Sequence, residues 1–124
     1  MSPKSTFPLQ NIRDELQLKA LIHFKDPEGV NEKIGEDSII NALIKSNLLI
    51  VLRSDMPPMP IRLSNGEIYE MVLQNDRGIV AKEGRANRYL VALKIDETNI
   101  LAAIGDDLDP GMVLFEFSNY KPNQ

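Results

Sequence analysis

Asn47-Leu48-Leu49-Ile50-Val51-Leu52-Arg53 holds a continuous apolar pentapeptide, and its reading decides the fold. Residues 48 to 52 do not show the alternation of a half-wet strand. An unbroken apolar run of this length matches a strand covered on both faces, as at the centre of a sheet. On this reading the pentapeptide is scaffold, and a polar replacement at Ile50 is expected to unfold the protein. It also marks the change from a helical N-terminal part to a run of strands.

Upstream, Leu9, Ile12, Leu16, Ala20 and His23 share one helical stripe, which predicts a first helix from Leu9 to about His23 or Phe24. Leu18, Leu21 and Ile22 fall on its other side, so its C-terminal end needs cover from two directions. Asp26-Pro27-Glu28-Gly29 reads as a turn. Val30 and Ile34 suggest a short helical turn that Gly35 interrupts. A second helix fits Asp37 to Ser46, with Ile39, Ile40, Leu43 and Ile44 as its buried stripe and Asn47 as its left-handed stop.

Downstream, Met56-Pro57-Pro58-Met59-Pro60 cannot supply regular ladder donors and reads as a stiff connection or a sheet edge. Asn65-Gly66 lies between Ile61-Arg62-Leu63 and Ile68 to Leu73, a strong hairpin signal. Asn75-Asp76-Arg77-Gly78 is a second turn, leading into Ile79-Val80-Ala81. Arg88 to Ile95 alternates as a further strand. Asp96 suits the cap of a short helix from about Glu97 to Ile104, and Met112 to Phe117 reads as a last strand.

The expected fold is α+β: two N-terminal helices packed on a mainly antiparallel sheet of about five to six strands, with one short helix before the last strand. One domain is expected over residues 1–124, with 1–8 and 119–124 as frayed tails. Hydrophobic residues make up 43% and charged residues 26%, the balance of a chain that folds. With no cysteine, disulfides, thiolate nucleophiles and thiolate-held metals are excluded. The N-terminus lacks a signal-peptide core and no stretch approaches a bilayer-spanning length, so a soluble cytoplasmic protein is expected.

The net charge of −4 is unevenly spread. Residues 77 to 94 carry five bases against one acid, net +4, whereas residues 95 to 124 carry one base against six acids, net −5. The basic group is Arg77, Lys82, Arg85, Arg88 and Lys94; of these, Arg77, Lys82, Arg85 and Arg88 are candidates for binding a partner or an anion. Gly84 to Arg88 permits backbone shapes whose N–H groups could converge on a phosphate, although no Walker sequence or G-x-G-x-x-G is present. A globally acidic chain with one nearby ring, Tyr89, is a poor nucleic-acid binder.

Asp106, Asp107 and Asp109 are weak candidates for metal ligation, because hard cations bind clustered carboxylates. Their spacing does not match an EF-hand loop, and a solvated acidic turn accounts for them. His23, the sole histidine, reads as a packing residue. No cofactor is expected. The segregated charge favours a non-enzymatic interaction module such as an adaptor, inhibitor, immunity or chaperone-like binder, touching a protein partner through Arg77, Arg85 and Arg88. A second copy is a further candidate partner, paired through an edge strand near the prolines or through the last strand. Two alternatives stand behind it: a binding domain for a nucleotide or other phosphate-bearing ligand at residues 77–88, and a carboxylate-dependent metalloenzyme.

Overall fold

Ala20-Leu21-Ile22-His23-Phe24 is buried at every position, with Ala20, Ile22 and Phe24 in one apolar cluster and Leu21 in another. Alternate side chains of one strand therefore enter two cores, and the sheet they belong to is covered on both faces. The computed structural model describes residues 9–53, 59–75, 77–84 and 87–121. Among these lie four helices, α1 (Leu9–Leu16), α2 (Asp37–Ile44), α3 (Leu48–Arg53) and α4 (Pro110–Asn119). The seven strands are β1 (Ala20–Lys25), β2 (Gly29–Gly35), β3 (Ile61–Arg62), β4 (Ile68–Gln74), β5 (Gly78–Glu83), β6 (Arg88–Lys94) and β7 (Asn99–Asp106). They form one curled antiparallel sheet in the order β2-β1-β7-β6-β5-β4-β3. Helices α2 and α3 cover one face and α1 and α4 the other. The protein is α+β, with more strands and a different allocation of helices than the sequence suggests.

The pentapeptide is not a strand. Ser46 Oγ accepts from the Leu48 amide at 3.1 Å, and the Val51 amide donates to Asn47 O at 3.0 Å, which starts α3 directly after α2. Asn47 does not end the helical region. Its side chain donates to Pro60 O at 3.2 Å and accepts from the Arg62 amide at 2.8 Å, tying the α2–α3 junction to β3. Leu48 and Val51, three residues apart, are buried, while Ile50 is 63% exposed. One helical face is covered, so Ile50 is not the core position expected of it.

Four other segments change type for local reasons. The first helix stops at Leu16 because Gln17 adopts φ 56°, with the Leu18 amide bonded to Arg13 O and the Gln17 amide to Asp14 O, the two bonds of a Schellman stop. Its expected second half is β1. Val30 and Ile34 lie on β2, an edge strand. Asp96 Oδ1 accepts from the amides of Thr98 and Asn99, both at 2.9 Å, and forms a side-chain-stabilised turn between β6 and β7 where a helix cap was expected. Asp109 Oδ1 accepts from Gly111 N at 3.1 Å and Met112 N at 3.4 Å, and Pro110 follows it, so Met112 to Phe117 is helical.

The second helix and the hairpins agree with the sequence. Gly66, at φ 97°, turns the β3–β4 connection while Leu63 N donates to Glu67 O at 2.9 Å. Asn75 Oδ1 accepts from Arg77 N and Gly78 N at 2.9 and 2.8 Å in the β4–β5 turn, whose Asp76 lies outside the described residues. Residues 1–8, 122–124 and Met56 to Pro58 also lie outside them. Tyr120, assigned to a frayed tail, is 8% exposed. Among the described residues no helix is long and apolar enough to cross a membrane.

Candidate functional site

Antiparallel pairing of β6 with β7 sets Arg88 directly opposite Asp106. Arg88 Nε donates to Asp106 Oδ1 at 2.8 Å and Nη1 to Glu67 Oε2 at 3.0 Å, while the buried Tyr69 hydroxyl donates to Glu67 Oε1 at 2.8 Å. On the far side, Lys19 Nζ lies 3.7 Å from Asp106 Oδ2 and donates to Glu36 Oε2 at 3.3 Å. Charges thus alternate along one end of the sheet, from Glu67 through Arg88, Asp106 and Lys19 to Glu36. The bond to Asp106 raises the Arg88 guanidinium above its ordinary value, and Arg88 in turn lowers the Asp106 carboxyl. Burial, then the Glu67 bond, pushes the Tyr69 phenol up, which keeps it a neutral donor.

Neither Arg77 nor Lys82 joins Arg88 in one patch. Arg77 sits at the opposite end of the β5–β6 hairpin, roughly 17 Å from Lys82 along β5 at about 3.4 Å per residue. Its Nε and Nη2 donate to Lys94 O at 3.3 and 3.1 Å, and Nη2 also reaches Ile95 O at 2.9 Å. The guanidinium closes the end of the hairpin while staying exposed. Lys82 Nζ stands 5.7 Å from the Tyr89 ring centroid. Arg85 lies outside the described residues.

The aspartates are likewise engaged. Asp106 is held by Arg88 and Lys19, Asp107 accepts from the Asn87 side-chain amide, and Asp109 caps α4. They border a cleft of about 510 Å³ with Glu15, Leu16 and Met112. Among the described residues no group of three or more His, Cys, Asp or Glu side chains is placed to hold a metal ion.

His23 lies on β1 and is 3% exposed. Its Nε2 is 2.7 Å from Asn99 Oδ1 and its Nδ1 is 3.1 Å from Asn31 Nδ2. Asn99 Nδ2 is committed to Asp96 at 3.0 and 3.1 Å, which turns Oδ1 toward the ring. Nε2 therefore carries the proton and Nδ1 accepts. A register shift between His23 and Phe24 leaves Asn31 unpaired on β2, and this bulge aims its amide at the ring. Tyr120 meets the imidazole edge-on, with centroids 6.1 Å apart, so the network anchors the end of α4. Both nitrogens being satisfied inside the fold, His23 is a structural residue.

With Arg88, Asp106, Asp107 and Asp109 engaged within the fold, the exposed apolar side chains stand out. Phe115 is 61% exposed and Met112 49% exposed on α4, and between α4 and the β4–β5 turn runs a groove of about 480 Å³. Gly78 and Leu93 form its floor, Leu114, Phe115 and Ser118 one wall, and Asn75 and Arg77 the other. A Cβ on Gly78 would come within 3.2 Å of Leu93 Cδ1 and 3.6 Å of Leu114 Cδ2, so the absent side chain keeps the floor low. A bulge between Met71 and Leu73 sets Leu73 opposite Val80 and turns it to the α4 side of the sheet, where it is 50% exposed.

No protein-family model, curated protein or solved structure matches the chain. The groove therefore rests on its own chemistry. Sequence reasoning missed Phe115 because it placed Met112 to Phe117 in a strand. The available signal was Asp109-Pro110 as cap and first helical residue, followed by Gly111-Met112-Val113-Leu114-Phe115-Glu116-Phe117, too apolar for a single buried stripe.

Proposed function

We propose that the chain is a non-catalytic protein-binding module that receives a partner in the groove between α4 and the β4–β5 turn. The observation that carries this reading is Phe115, a large aromatic left 61% exposed at the lip of a 480 Å³ groove with an apolar floor. Interface energy concentrates in aromatic anchors that fill desolvated pockets, whereas a lone exposed apolar residue away from a concavity signifies little. Met112 and Leu73 extend the apolar surface, and Arg77 supplies a polar rim. Of the bases first considered that lie among the described residues, Arg77 alone lines this groove; Arg88 is neutralised by Glu67 and Asp106, which weakens the case for a phosphate ligand at residues 77–88.

The test compares proteins captured from cell extract by the wild type, Phe115→Ser and Arg77→Ala. Because Phe115 is exposed, Phe115→Ser is expected to melt within about 2 °C of the wild type, since surface changes stay near ±0.5 kcal/mol. It should nevertheless lose the captured partner. Arg77→Ala should weaken capture less. A partner retained at wild-type level by Phe115→Ser would remove the groove from consideration.

A further inference from the structure

We infer that the groove's partner is a second copy of this chain, docked through α4 across a two-fold axis beside Phe115. This rests on the groove reading and names its occupant. Identical surfaces meeting on a two-fold axis are apposed to themselves, so a charge near the axis faces its own copy. The outward positions of α4 avoid that conflict: Gly111, Met112, Phe115, Ser118 and Asn119 are exposed and uncharged. Glu116, the single charge between Pro110 and Asn119, is partly buried and off this ridge. In a chain with 26% charged residues, an uncharged seam along α4 suits a like partner, with Arg77 set apart on the opposite wall of the groove.

Shape points the same way. With two antiparallel copies of α4 centred on Phe115, residues three or four before it face residues three or four after it on the other helix. Met112 meets the other copy's Ser118, and Gly111 meets its Asn119, so the bulkier side chain of each pair faces the smaller one. Phe115 borders the groove and stands out from it, so each copy presents a protruding ring beside a recess floored by Gly78. An isologous contact requires that adjacency of knob and hole. Three half-exposed side chains, Leu73, Met112 and Phe115, offer on the order of 300 Å² of apolar surface per copy, against about 800 Å² in total per partner for a standard interface. The dimer should therefore be weak, with a Kd in the micromolar range. Each copy carries a net charge of −4, so added salt should screen the mutual repulsion and tighten the association.

Sedimentation equilibrium from about 1 μM to about 500 μM tests this across that range of Kd. The mass should climb from 14.0 kDa toward twice that value, and climb earlier at about 0.5 M salt. Phe115→Asp, which sets two carboxylates against each other at the axis, should stay monomeric at every concentration while melting like the wild-type monomer. The register has its own check: Met112→Lys with Ser118→Glu in one chain should dimerise more tightly at low salt than either single variant. A wild type that remains monomeric throughout, or a dimer that survives Phe115→Asp, overturns the second-copy assignment. If the wild type is monomeric but Phe115→Ser loses a captured protein, the groove stands and its occupant is another chain. If neither association nor capture depends on Phe115, both readings fall.

Discussion

Replacing Arg88 with alanine separates a structural role from a binding role at the residue the charge pattern singles out. In the structure the substitution removes donors to Asp106 at 2.8 Å and to Glu67 at 3.0 Å, leaving two carboxylates and the Tyr69 hydroxyl at one end of the sheet. Removing one partner of a fully buried ion pair costs about 3–5 kcal/mol, and of an exposed pair about 0–1. The side chains here are 21% exposed for Arg88, 27% for Glu67 and 43% for Asp106, between those limits. Water can take over part of the lost bonding to Asp106 but less of that to Glu67, so a loss of about 2 kcal/mol is expected. For a chain of this length that corresponds to a Tm lowered by roughly 7 °C. Urea unfolding followed by circular dichroism measures it, with an unchanged slope showing that the midpoint shift reports stability. In a double-mutant cycle with Asp106→Asn, the two losses should add to more than the double variant shows, with a coupling of about 1 kcal/mol. A change below about 0.5 kcal/mol, together with loss of a bound partner, would refute the structural assignment and make Arg88 a contact residue.

Two further outcomes are expected. Ile50→Asn should change stability by no more than about 0.5 kcal/mol, whereas Leu48→Ala should cost about 2–4 kcal/mol, because only the second empties a core site; denaturant midpoints that fall equally for both would argue for a segment covered on two faces. The carboxyls of Asp106, held down first by the Arg88 bond, and of Asp96, held down first by the Thr98 amide, both lie below the ordinary range. The unfolded chain therefore takes up these protons first as pH falls, so their contribution is complete well above the unfolded value of about 3.9 and is lost as pH drops through the lower folded values. Tm should fall below about pH 4, and Asp96→Asn with Asp106→Asn should start lower at pH 7 and lose less on acidification. Parallel pH–Tm curves for wild type and variant would count against the stated causes.

The elements readable from sequence were those whose signal is local and chemical. Asn65-Gly66 imposes a hairpin whatever packs on it, and Asp37 to Ile44 carries a helical stripe against a single covering face. The misread elements depend on what covers them. Strand β7 is buried at seven consecutive positions, Asn99 to Gly105, because helices lie on both faces of the sheet; the alternation that identifies a strand is erased, and two alanines favour a helical reading. The pentapeptide fails in reverse, since an apolar run that would suit a covered strand is a helix with Ile50 left in water. This error spreads to function. With Glu97 to Ile104 read as a helix, the +4 and −5 segments look like surfaces awaiting a partner. With it read as a strand, the tight turn at Ile95 to Asn99 sets the β6–β7 register and places Arg88 opposite Asp106, so part of the charge contrast closes within one hairpin. The same correction makes the next segment a helix capped by Asp109, and a ten-residue helix with one charge cannot hide all its apolar side chains against one face of a sheet. Phe115 is exposed for that reason, and the search for function moves from the charged loops to the uncharged ridge of α4.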